Sequence, residues 1–134
     1  MQIGGLHIEC SRNIYGRQIS SFESKVKLHL PMAHTTSTST KGEPHPPDHH
    51  ASSSQKDKKE FHGIFIRAPG IVKLNSPTVQ VLGTLQDEEN SIVAVQQDNL
   101  MATCFHPELT DDPRWHMYFV EQVIAQRYSN KIDT

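Results

Sequence analysis

The chain has 134 residues, a formal net charge of −2, 35% hydrophobic residues and two cysteines, which is room for one domain with one core and not for two. The slightly acidic balance gives no electrostatic reason to expect nucleic acid or an anionic membrane as partner, and no apolar run approaches the ~20 residues that span a bilayer. The start lacks a basic segment followed by an apolar one, so a soluble, cytoplasmic protein is expected, with Cys10 and Cys104 as free thiols in a reducing compartment.

In Gly4 to Asn13 the apolar Leu6, Ile8 and Cys10 alternate with polar neighbours, which predicts a half-buried strand. Asn13 and Gly16 then favour a turn, flanked by Arg12 and Arg17. An arginine there could grip a carboxylate bidentately or could lie in a solvent-facing loop. A second strand, expected antiparallel to the first, follows at 21–30, where Phe22, Ser24, Val26, Leu28 and Leu30 share one face.

From Pro31 to Glu60 the composition turns to Ser, Thr, Pro, His, Lys and Asp. Such a segment cannot offset its ordering entropy by burial, so a disordered insertion at 31–60 is expected, and the core must come from about 100 residues at most. His34, His45, His49 and His50 lie in it. Flexible serines and prolines give no scaffold to fix ligand geometry and no cysteine joins them, so no metal site is expected.

Structure is expected to resume at Phe61. The run Ile64-Phe65-Ile66 is apolar on both faces, as in a strand covered on both sides, and Arg67 leaves it directly before Ala68-Pro69, so its guanidinium is expected to need a partner. Residues 71–74 read as a short apolar connection, 78–85 as a strand and 86–90 as a polar turn. Residues 91–97 and 100–105 are β-branched and apolar runs separated by Asp98-Asn99, which predicts a hairpin. Pro107 should end its second strand at His106.

Residues two apart in an extended chain point the same way, about 6.5–7 Å apart. His106 and Glu108 can therefore bring imidazole and carboxylate within hydrogen-bonding reach. A carboxylate there would fix the imidazole tautomer and stabilise the imidazolium formed on proton uptake. From spacing alone the commoner reading is a surface histidine beside a solvated glutamate. Beyond Leu109, Asp112 is a good N-cap and Pro113 a good first helical residue. Trp115, Phe119 and Val123, widened by Val120 and Ile124, predict an amphipathic helix packing on the sheet and fading near 128–130.

Three stretches in this order, Arg12-Asn13-x-Tyr15-Gly16-Arg17-Gln18-x-x-Ser21-Phe22-Glu23, Phe65-Ile66-Arg67-Ala68-Pro69 and Phe105-His106-Pro107-Glu108-Leu109-Thr110, closely resemble one family. It is the glutaminase subunit of pyridoxal 5'-phosphate synthase, within the class I (triad) glutamine amidotransferases. The resemblance implies an α/β, three-layer amidotransferase fold, here incomplete and made mostly of the C-terminal strands and final helix. It also implies a cysteine thiolate that attacks the carboxamide of L-glutamine, a thioester, and ammonia released to a barrel-shaped synthase subunit as partner. By motif position His106 is the implied triad base, Glu108 its orienting carboxylate, and Arg12, Ile66 and Arg67 the implied glutamine contacts. Arg17 matches a position without an assigned role, and no cofactor is implied.

The family's nucleophile sits in a Gly-x-Cys-Ala-Gly elbow, and a Gly-Gly-Glu-Ser stretch serves its oxyanion and glutamine contacts; neither occurs in this sequence. Cys10 and Cys104 both fall in strand contexts without the glycines an elbow needs, and Cys104 is expected to be a buried packing thiol. Residues 1–134 are therefore expected to be one partial domain, the C-terminal portion starting after the nucleophile and inactive alone. The alternative is a non-catalytic interaction protein that keeps the synthase-docking surface. Deleting most of 31–60, with a short linker left behind, is expected to leave the melting temperature nearly unchanged; a loss of several degrees would give the tract a place in the core.

Overall fold

The computed structural model describes residues 4–12, 21–31 and 59–132, the last four of them as backbone only. Its elements are β1 (Ile8–Ser11), β2 (Phe22–Leu28), β3 (Glu60–Phe65), β4 (Gly70–Leu74), β5 (Gln80–Leu85), β6 (Ile92–Gln97), β7 (Leu100–Thr103) and α1 (Arg114–Ile132), with a 3-10 turn at Pro107–Leu109. Strands β3-β2-β5-β6-β7 form one sheet in that order, and β1 and β4 form a separate two-stranded ribbon. Every pairing among the described residues is antiparallel. The expectation that the first two strands pair is thereby corrected: β1 pairs with β4, which the sequence had suggested was only a connection.

Strand β6 shows how the layers stack. Gln96 bonds to Tyr118 and Gln122 of α1, whereas Gln97, one residue on, bonds to His7 at the start of the ribbon. Successive side chains of a strand point to opposite faces, so α1 covers one face of the sheet and the ribbon the other. Val93, Ala94 and Val95 are accordingly fully buried, as expected of a strand covered on both sides. The buried Gln97 is satisfied: its Oε1 accepts from the His7 backbone N–H (2.8 Å), and its Nε2 contacts His7 Nδ1 (2.7 Å) and Thr78 Oγ1 (2.9 Å).

On the helix side the core is aromatic. Phe61, Phe65, Phe105 and Trp115 are each at most 3% exposed. Phe105 lies 5.0 Å from Trp115, 5.4 Å from Phe61 and 5.7 Å from Phe65 between ring centroids, while Phe61 meets Trp115 edge-on at 6.0 Å and Phe22 stacks on Phe65 at 4.5 Å. Tilted and edge contacts at these separations are the favourable ones for ring quadrupoles. Gly83 makes room for the helix: a Cβ there would stand 3.0 Å from Val26 Cγ1, 3.3 Å from Ala94 Cβ and 3.4 Å from Trp115. The β5–β6 register shifts around this residue, and the bulge explains why Leu82 through Leu85 are buried in succession.

Three sequence expectations change in detail. Strand β3 is an outer strand of the sheet among the described residues, Phe61, Gly63 and Phe65 point inward, and Ile66, beyond its end, is 42% exposed; Ile64-Phe65-Ile66 is not buried on both faces. A bulge between Glu9 and Cys10 breaks the alternation of β1 and turns Cys10 outward. The helix packs through Trp115 and Tyr118, whereas Phe119, Val120, Val123 and Ile124 of the expected stripe are 41–52% exposed. Its start is as expected: Asp112 Oδ1 accepts the Arg114 N–H at 3.1 Å, and Met117 N–H donates to Pro113 at 2.8 Å. The Arg114 side chain ion-pairs with Asp112 at 2.6 Å and donates to the Glu60 carbonyl, tying helix to β3.

Glu60 thus belongs to β3 and not to an insertion. Lys27 of β2 lies opposite it, so the tract between joins two neighbouring antiparallel strands; residues 32–58, with the four histidines, lie outside the described residues. No helix among the described residues is long and apolar enough to cross a membrane. Phe105→Ala should cost about 3–5 kcal/mol, because it leaves a cavity where four rings meet, and the loss should appear as a clearly lower denaturant midpoint. Asp112→Ala should cost about 0.5–2 kcal/mol, the usual worth of a cap.

Candidate active site

The chain leaving β7 is fixed from several sides before it reaches His106. Cys104 N–H donates to Val93 O (2.8 Å), the Thr103 hydroxyl donates to Phe105 O (2.9 Å), and the Phe105 ring is held in the aromatic core. His106 N–H then donates to Ile64 O at 2.8 Å, laying this segment alongside β3. His106 itself is extended (φ −103°, ψ 90°) and Pro107 opens the 3-10 turn, which Thr110 closes through both its N–H and its hydroxyl onto Pro107 O (3.3 and 3.1 Å).

The imidazole and carboxylate meet as the spacing suggested, with His106 Nδ1 and Glu108 Oε1 at 2.8 Å. The route differs. β7 ends at Thr103, and Glu108 reaches back from the 3-10 turn and not from an extended strand. The hydrogen bond to His106 holds the Glu108 carboxyl below its ordinary 4.5, helped by the Glu108 backbone and by the nearby charges of His106 and His116. Glu108 is thus an acceptor at neutral pH, so Nδ1 carries the proton and donates it, leaving Nε2 as the open acceptor of the neutral ring. Both side chains are about half exposed, 43% and 58%.

Among the other residues singled out in the sequence, Ile66 and Arg67 stand near His106 along the backbone, at the corner where β3 ends. Ile66 and Arg67 follow β3 directly, two and three residues past the carbonyl that receives His106 N–H. Arg67 is exposed in the left-handed region at φ 47°, a conformation that costs a side-chain-bearing residue free energy. Its expected need for a partner falls away with that exposure. Arg12 is exposed and follows Ser11, which pairs with Gly70 at the start of β4, so it emerges beside the Ile66–Pro69 connection. Arg17 lies outside the described residues. Sequence reading missed the Ile64 carbonyl and the Phe105 wedge as positioning groups, and the nearness of His116 to Glu108. The first two follow from strand pairing, which no local pattern encodes.

Neither cysteine is placed as a nucleophile. Both are free, Cys10 exposed and Cys104 buried. Burial, with a smaller repulsion from Cys10, pushes the Cys104 thiol from 9.0 up to about 11, so at neutral pH it is protonated and weakly nucleophilic. No cluster of three or more His, Cys, Asp or Glu side chains able to hold a metal occurs among the described residues.

Residues 49–125 match the profile of the SNO glutamine amidotransferase family. The chain belongs to that family. It is similar to the probable pyridoxal 5'-phosphate synthase subunit pdx2 of Dictyostelium discoideum, 40% identical over 129 residues, which covers 91% of this chain and 46% of that one. It is likewise similar to the pyridoxal 5'-phosphate synthase subunit PdxT of Pyrococcus furiosus, 39% identical over 119 residues (89% and 46%). A glutamine amidotransferase crystal structure superimposes with a TM-score of 0.60 at 34% identity, covering 89% of this chain and 47% of that one. This family member therefore has the α/β glutamine amidotransferase fold expected from its sequence, and it spans about half the length of the curated relatives it matches.

The Glu108 carboxyl resonance should titrate with a midpoint below 4.5 and move up towards the ordinary value in His106→Ala, which removes the largest of the lowering contacts. Because its folded value is depressed, the His106–Glu108 contact is complete above that range and is lost as pH falls through the lowered midpoint. An unshifted Glu108 midpoint would mean that the two side chains do not bond in solution. In thiol labelling at pH 8, Cys10 should react readily and Cys104 only on unfolding.

Proposed function

We propose that this chain carries the proton-handling half of a glutaminase site that supplies ammonia for pyridoxal 5'-phosphate synthesis, with a synthase barrel subunit as partner. The observation that carries the reading is the 2.8 Å bond between His106 Nδ1 and Glu108 Oε1, held in place by strand pairing. In this reading His106 Nε2 takes the proton of an attacking thiol and returns it to the leaving ammonia, while Glu108 fixes the tautomer and stabilises the imidazolium between those steps. Arg12 and Arg67 would hold the α-carboxylate of L-glutamine, with Ile66 lining the site, as the motif positions suggest. The thiol itself comes from outside these residues, since Cys104 is buried and protonated and neither cysteine sits in an elbow.

A cytoplasmic location and a partial domain with a dispensable insertion belong to the same proposal. The second reading, a non-catalytic protein that retains the synthase-docking surface, is favoured by one feature: the Gly-x-Cys-Ala-Gly elbow is not in these 134 residues. The two readings separate experimentally. The chain alone should release no ammonia from glutamine above background, with or without synthase, because His106 and Glu108 have no thiolate to assist. Joined to the cysteine-bearing part of a family member, it should gain activity. There, His106→Ala should lower kcat about a thousandfold or more, Glu108→Gln should lower it less, and Arg12→Ala should raise KM. Activity in the isolated chain that vanishes in Cys104→Ser would make Cys104 the nucleophile.

A further inference from the structure

The β1–β4 ribbon has two strands, and two strands alone are marginal in water, so its placement depends on what ties it to the five-stranded sheet. Ile71 lies in the core, with Leu6, Ile8 and Leu74 packed against it. Apolar contact of this kind holds the ribbon down, but it is non-directional and does not by itself fix where along the sheet the ribbon sits. Direction comes from the side-chain amide of Gln97, which ends β6 and is 5% exposed.

Three bonds converge on that amide at the root of the ribbon. Oε1 accepts the His7 N–H (2.8 Å), and Nε2 donates to His7 Nδ1 (2.7 Å) and Thr78 Oγ1 (2.9 Å). His7 leads into β1, its carbonyl accepts the Asn75 N–H just beyond β4 (2.8 Å), and Thr78 lies on the connection from β4 to β5. The amide cannot be turned over, because a backbone N–H only donates and must face Oε1. Nε2 therefore faces the imidazole, so Nδ1 is an acceptor and neutral His7 carries its ring proton on Nε2. This is the reverse of His106.

Two arms leave this point. Strand β7 follows Gln97 through the hairpin turn and leads to His106, and β1 follows His7 and leads to Arg12. The first arm has supports of its own, the Phe105 ring and the Ile64 carbonyl. We infer that Gln97 is a positioning residue of the glutamine site: it sets the β1–β4 ribbon, and through it Arg12, against the β6–β7 hairpin whose chain continues to His106. The inference rests on the reading above, in which Arg12 holds the α-carboxylate of L-glutamine. Because His106 is held separately, loss of the Gln97 bonds should weaken glutamine binding and leave the chemical step alone.

The nitrogen-15 spectrum of His7 in the 134-residue chain should show the Nε2–H tautomer, and Gln97→Glu, which offers an acceptor where Nε2 stood, should move the ring proton to Nδ1. Glutamine affinity is read in the chain joined to the cysteine-bearing part of a family member, as Kd for L-glutamine together with kcat. Gln97→Leu should raise Kd about fivefold or more and change kcat by less than about twofold. His7→Leu, which keeps the backbone bond, should raise Kd less, and His7→Asn, whose amide oxygen stands where Nδ1 stood, should keep the parent value. His7→Leu alters an exposed side chain and should keep the parent melting temperature, so the effect is read there even where Gln97→Leu unfolds. In Arg12→Ala, adding Gln97→Leu should cost little further affinity, since both changes act on one contact. A parent His7 ring protonated on Nδ1, an unchanged Kd in both leucine variants, or losses that add in full to that of Arg12→Ala would overturn the inference. An unchanged Kd in Arg12→Ala removes the reading of Arg12 and the inference with it, whereas a loss in Arg12→Ala with none in the leucine variants removes the inference alone.

Discussion

The insertion of the Phe105 ring between Phe61, Phe65 and Trp115 is the contact on which the rest of the structure depends. It joins the end of the β6–β7 hairpin, the outer strand β3 and the first turn of α1 through one side chain. Dispersion and burial at such a junction are large, and ring geometry makes it directional. The next residue is His106, whose N–H is already committed to Ile64 O. The His106 backbone is thus positioned by hydrocarbon packing and one strand-like hydrogen bond before its side chain meets Glu108.

The same economy holds for Glu108. Pro107 starts a 3-10 turn whose closing bonds come from Thr110, and the turn returns the carboxylate to the imidazole. Because the pair is about half exposed, its electrostatic contribution to stability is small in water; what it determines is which nitrogen carries the proton. Covering the corner with further polypeptide and substrate would lower the local dielectric and strengthen that control.

Much of this was legible in the sequence where the signal is local. Strand β2 shows the alternation that its side chains suggest, Asp98 supplies the left-handed residue of the hairpin turn (φ 50°), and Asp112-Pro113 starts the helix. The His106–Glu108 contact was reachable from spacing, although the turn and not an extended strand delivers it. What local pattern could not give is pairing. The apolar run at 71–74 reads as a connector until β1 is placed opposite it, and Ile64-Phe65-Ile66 reads as a central strand although β3 lies at the edge. The helix stripe failed for a related reason. Periodicity marks every side that avoids water, including one that the described residues leave uncovered, so Phe119 and Val123 carry the same signal as Trp115.

The central claim is that packing and the turn present His106 with Nδ1 bonded to Glu108 and Nε2 free to accept a proton. The direct measurement is the nitrogen-15 spectrum of the neutral His106 ring in the 134-residue chain, which distinguishes the two tautomers. The account requires the Nδ1–H form, with a nonprotonated Nε2. A ring protonated on Nε2, or one that averages equally between tautomers at a pH where Glu108 is ionised, would contradict it.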